Sequence, residues 1–99
     1  MIEAEIAKKL TKAAALEQMA EEAAELAQAA LKYARILRGE NPTPVTEREA
    51  MGHLSEEVAD VLVCMDVVME YPDALYGVDE KAFEKKARWL DRLKGRAEK

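Results

Sequence analysis

Four carboxylates stand out by their spacing. Glu22 and Glu25 are three residues apart in a stretch of helix-forming residues, and Glu57 and Asp60 repeat that spacing further along the chain. Three residues along an α-helix turn the axis by about 60° short of a full circle, so each pair shares one face. Two adjacent carboxylates repel, and on an isolated helix a like-charge pair costs a few tenths of a kcal/mol. Two such pairs ask for a compensating cation, and carboxylate oxygens suit a hard divalent ion, magnesium or manganese. A single pair in so acidic a chain reads first as a solvated face and is weak evidence for a metal. The second pair differs, because Glu57 and Asp60 flank and enter a stretch, 58 to 68, whose other positions are almost all apolar.

Helices must position these acids. From Glu3 to Arg38 there is neither proline nor glycine, and alanine and leucine recur beside glutamate and lysine, which predicts one long helix. Gly39 and the cluster Pro42-Thr43-Pro44 stop it. Thr46 with Glu49 three residues later fits a capping box, and Val45 is placed to staple onto Ala50, so a second helix is expected from Glu47 to about Tyr71. Gly52 and Ser55 allow a break inside it, and Pro72 ends it. Asp79 is the expected N-cap of a third helix reaching the basic tail near Gly95. Phe83, Ala87 and Leu90 follow helical spacing in that segment and predict a core-facing stripe for Phe83, with a packing or interface role for Trp89.

The expected fold is therefore all-α, a single helical domain over residues 1–99. A continuous first helix would be about 50 Å long, whereas a compact chain of this length has a radius of gyration near about 13 Å. Such a helix overhangs its own domain, so the bundle is expected to be completed by oligomerisation, as a homodimer or tetramer.

Composition narrows the partners. With 20 acidic against 15 basic residues the net charge is -5, which leaves no basic footprint for a nucleic acid. No run of about 18 apolar residues is present, so no membrane partner is expected. The lone Cys64 permits no internal disulfide, and no basic start followed by an apolar block marks a secretory signal, so a reducing cytoplasm is the expected location.

The segments Glu21-Glu22-Ala23-Ala24-Glu25-Leu26 and Glu56-Glu57-Val58-Ala59-Asp60-Val61-Leu62 resemble the MazG-type family of all-alpha nucleoside triphosphate pyrophosphohydrolases. The resemblance extends weakly to Tyr76-Gly77-Val78-Asp79 and to Lys85, Arg88 and Arg92, covering about Gln18 to Leu93. It implies that Glu22, Glu25, Glu57 and Asp60 are magnesium ligands, that Glu21 and Glu56 are candidate catalytic bases, and that a nucleoside triphosphate is cut to the monophosphate and pyrophosphate. The chain departs from that pattern in a longer gap between Glu25 and Glu57 and in Cys64, where some relatives carry an aromatic ring.

Other residues are candidates for substrate contact. Gln28 and Lys32 continue the polar face that carries Glu22 and Glu25. Lys81, Lys85, Arg88 and Arg92 fall in a helical stripe about 60° wide, suited as point charges and planar forks to phosphate oxygens and read equally as an ordinary charged outer face. His53 lies four residues before Glu57, within reach of that carboxylate on a continuous helix. A helical interaction module with inert acids, docking its apolar stripe on a partner, and a nucleotide-binding relative without turnover are the alternatives to an enzyme.

Overall fold

The computed structural model describes residues 1–40 and 44–98. They form four α-helices: α1 (Ile2–Lys9), α2 (Lys12–Arg38), α3 (Glu47–Val68) and α4 (Val78–Glu98). The all-α expectation holds, and no helix among the described residues is long and apolar enough to cross a membrane.

The first helix is not continuous. Leu10 is extended (φ -121°, ψ 161°), and Thr11 starts α2 with its side-chain oxygen accepting from the Ala14 amide at 3.0 Å. Neither proline nor glycine is involved. What holds the break is tertiary: the Tyr71 hydroxyl, from beyond the end of α3, lies 3.0 Å from the Ala7 carbonyl and 3.2 Å from the Leu10 carbonyl. It offers its proton to carbonyls at the end of α1, where the Ala7 oxygen also accepts from the Leu10 amide at 3.3 Å. The eight residues of α1 are too few for a stable isolated helix, and they survive by docking Ala7 onto Ala15, Val67 and Val68, with Met19, Tyr71, Ala74 and Leu75 around them. The expected 50 Å overhang is thereby removed, and with it that reason for oligomerisation.

α2 ends as expected at Gly39, in the left-handed region (φ 68°), where its amide and that of Glu40 turn back to the last carbonyls. Pro42 and Thr43 of the expected stop lie outside the described residues. Thr46 caps α3, accepting from the Glu49 amide at 3.1 Å. α3 runs unbroken through Gly52, and Ser55 donates to the Met51 carbonyl at 3.0 Å instead of capping a restart. α3 stops at Val68, short of the expected Tyr71. α4 opens at Val78, with the Lys81 amide bonded to the Gly77 carbonyl, so Asp79 sits in the first turn and is not the cap.

α2 and α3 pack as an antiparallel hairpin. At its closed end the Tyr33 hydroxyl donates to Glu47 at 3.2 Å, and at the far end Ala15 and Gln18 meet Cys64 and Val67. The contact line on α2 runs through Ala15, Met19, Glu22, Leu26, Ala29 and Tyr33, buried or half-buried at alternating steps of four and three. On α3 it runs through Ala50, Leu54, Glu57, Val61, Cys64 and Val68 at the same steps. This alternation is the 3.5-residue period of a supercoiled seam.

Phe83 does not join the core. Every side chain from Asp79 to Lys94 is exposed, Phe83 at 74% and Trp89 at 62%. The pattern of α4 asks for a buried face, but helical spacing does not say which surface will meet that face, and within one chain none does.

Candidate metal centre

The seam between α2 and α3 is apolar except at its middle, where Glu22 and Glu57 interrupt it. Their carboxylates and that of Glu25, one turn further along α2, each place an oxygen within 4.8 Å of the other two. Glu22 and Glu57 are half-buried and Glu25 is exposed. Asp60 is exposed and stands outside this triad, although its charge is felt at Glu22. Three of the four expected ligands thus converge, and the fourth is a neighbour.

Each half-buried acid is oriented by a residue one turn earlier on its own helix. Gln18 donates to Glu22 Oε1 at 2.9 Å. His53 Nε2 lies 3.3 Å from Glu57 Oε1, with the Glu57 side chain 12% exposed. The other oxygens, Glu22 Oε2 and Glu57 Oε2, are buried and have no hydrogen-bond partner. A buried carboxylate oxygen without a donor is costly, and two of them beside a third acid form a donor set of the kind a hard divalent cation takes. The residues present therefore fit the ion that the sequence pattern asks for.

Electrostatics agree with that fit. Burial pushes the Glu22 carboxyl above its ordinary value, and the charges of Glu25 and Asp60 push it further, against the lowering effect of the Gln18 amide. The Cys64 thiol, two steps beyond Glu57 on the α3 seam, is held up by burial and then by the acids Glu22 and Asp60. That state is inert, in keeping with a packing role.

The other expected site residues divide into two groups. Gln28 and Lys32 line an open cleft of about 430 Å³ with Glu25, Ala29, His53 and Glu57, directly beside the triad. A second hollow continues from it past Val45, Glu49 and Ala50. Lys85, Arg88 and Arg92 line a different hollow, on α4 with Trp89 and Asp91. Glu21 and Glu56 are exposed, each about 100° around its helix from its neighbour in the seam, and are not part of the converging set. Gln18 is the residue that sequence reasoning missed; its position four before Glu22, the same offset as His53 to Glu57, was the available signal.

Compared with protein-family models, with curated proteins and with solved structures, the chain matches none.

Proposed function

We propose that this chain is a magnesium-dependent nucleoside triphosphate pyrophosphohydrolase, cutting a ribo- or deoxynucleoside triphosphate to its monophosphate and pyrophosphate. The observation that carries the reading is the convergence of Glu22, Glu25 and Glu57 within 4.8 Å, with two buried carboxylate oxygens lacking any donor. The choice of substrate and bond comes from the resemblance of the two acidic segments to the MazG-type enzymes. Manganese suits the same oxygens.

Glu22, Glu25 and Glu57 would hold the ion, with Asp60 adding negative charge from the next turn of α3. A divalent cation there supplies neutralisation of phosphate charge and acidification of water. The protein's own part is placement. Gln18 and His53 fix the two seam carboxylates, and Lys32 and Gln28 offer a cation and an amide to phosphate or sugar oxygens in the adjoining cleft. Glu21 and Glu56, exposed beside the seam, keep the role of candidate bases that the resemblance implies for them. Lys85, Arg88 and Arg92 stand on α4, in a hollow that shares no residue with the cleft, and are second-rank candidates for the same phosphates.

The test is a screen of the common ribo- and deoxynucleoside triphosphates with magnesium, scoring pyrophosphate and orthophosphate separately, followed by reaction in oxygen-18 water. Label in the monophosphate is the expected result, because attack at the alpha phosphorus puts it there. Orthophosphate with a nucleoside diphosphate overturns the assignment. A second reading, a helical interaction module with inert acids, is favoured by the exposed apolar residues of α4. The absence of both turnover and stabilisation by magnesium would select it.

A further inference from the structure

We infer that α4 lies along an anionic lipid surface, its apolar arc sunk among the acyl chains and its basic rims on the headgroup phosphates. Nothing in this depends on the proposed activity. The lack of an apolar run excludes a span and says nothing of a helix lying in the plane of the interface.

α4 needs cover that its own chain does not supply. It runs 21 residues, Val78–Glu98, and every side chain from Asp79 to Lys94 is exposed. Among them Phe83, Trp89, Leu90 and Leu93 are 74, 62, 52 and 45% exposed. Helices gain most of their stability by packing an apolar face, and the face formed by these four is left open to water.

The order of residues around the axis names the cover. At about 100° per residue, Trp89, Ala82, Leu93, Leu90 and Phe83 fill an arc about 120° wide. Arg96, Lys85 and Arg92 follow along one edge of that arc, and Lys94 stands at the other. Glu80, Asp91 and Glu84 gather at the back, about 120–160° from the centre of the arc. Long basic side chains at the rims lay their stems over apolar surface and hold their charge at its edge, at the depth of lipid phosphates, while the acids point to water. An apolar arc, basic rims and a polar back are the build of a helix that rests in a membrane interface. Two polar residues break the arc. Asp79 is in the first turn, where an acid suits the helix N-terminus, and the long stem of Lys86 carries its charge out to the headgroups.

Charge is divided along the chain in the same sense. α4 holds seven basic against five acidic residues, whereas the whole chain stands at -5, so all of the negative excess lies outside α4. An anionic surface draws α4 and repels the rest, which turns this face toward the lipid. A protein groove would need acids placed beside each rim. A lipid surface presents phosphates on both sides of any helix that lies in it.

Trp89 is the chain's only tryptophan and sits in the arc, so the whole protein reports its own binding. The test mixes it with vesicles of phosphatidylcholine alone and of equal parts phosphatidylcholine and phosphatidylserine, following Trp89 emission, quenching by acrylamide, and flotation with the vesicles. The anionic vesicles are expected to shift the emission to the blue, shield Trp89 and float the protein, and the neutral ones to bind at least about tenfold more weakly. Leu90→Glu with Leu93→Glu should remove the shift. Lys85→Gln with Lys94→Gln, one from each rim, should weaken binding about tenfold or more. Glutamate and glutamine are good helix formers, and at these exposed positions they keep the helix. No response to the anionic vesicles overturns the inference, as does equal binding to the two kinds, or either double variant binding as the wild type does. A Trp89 already blue-shifted and shielded without lipid means that protein, a second copy included, covers the arc, and overturns it too.

Discussion

Glu57→Gln should raise the stability of the metal-free protein while abolishing its response to magnesium, two effects of opposite sign from one atom. Glu57 Oε2 is buried without a donor, and its carboxylate lies within 4.8 Å of Glu22 and Glu25. The amide keeps the shape, removes one anion from the triad and brings two N–H donors to the facing acids. Relief of a buried unsatisfied oxygen contributes about 1 kcal/mol, which in a domain of this size moves the midpoint up by about 4–8 °C. In the wild type, magnesium at a hundred times its dissociation constant stabilises by about 2.7 kcal/mol, a rise of about 10–20 °C. The variant should keep less than about 3 °C of that rise and lose nearly all turnover, because in the proposed site the missing oxygen is a ligand. Thermal unfolding followed by helical circular dichroism, with chelator and with magnesium, measures both shifts. An equal magnesium shift in variant and wild type would refute the placement of Glu57 in the site. A metal-free variant that melts earlier would refute the idea that its carboxylate is unsatisfied.

Three further outcomes are expected. Glu22 titrates above its ordinary 4.5 in the folded protein, so the native state holds the extra proton. Its contribution is complete below that pH and is lost as the pH rises through the raised value. The metal-free midpoint should fall across that window relative to Glu22→Gln, and magnesium should cancel the fall; identical pH profiles for the two proteins would contradict it. Tyr71→Phe should cost about 1–2 kcal/mol and speed hydrogen exchange in α1 while sparing the α2–α3 seam, because its hydroxyl serves Ala7 and Leu10 alone. Lys32→Ala should weaken triphosphate binding by about tenfold or more with the magnesium shift retained, and unchanged affinity would remove Lys32 from substrate contact.

The elements whose signals are local were legible in the sequence. Gly39 stops α2 because only a residue tolerant of positive φ closes the helix there, and Thr46 caps α3 through its own side chain; both are visible in a few neighbouring residues. The acidic triad was legible for a related reason, since three-residue spacing on a helix fixes which side chains share a face before any packing is known. The break at Leu10 was not. Its cap, Thr11, is written in the chain, but Thr11 lacks the glutamate three residues on that would mark a capping box, and the hydroxyl that stabilises the break comes from Tyr71. The isolation of α4 escaped for the complementary reason: amphipathic spacing through Phe83 and Leu90 states that a face wants cover and is silent on what covers it. Asp60 shows the limit of spacing itself, because a pair shares a face on its own helix without both members reaching the opposite one.

Cys64 turns the charge of the acidic cluster into something a reagent can read. Its thiol is raised first by burial and then by Glu22 and Asp60, and only the second of these depends on how those acids are neutralised. Alkylation proceeds through the thiolate. At fixed pH its rate should climb as a cation takes up the acids' field and should return to its slow baseline when chelator strips the cation away. On the proposed metal site, Cys64 would thus serve as a native, single-site gauge of ion occupancy, usable with no label and no substrate.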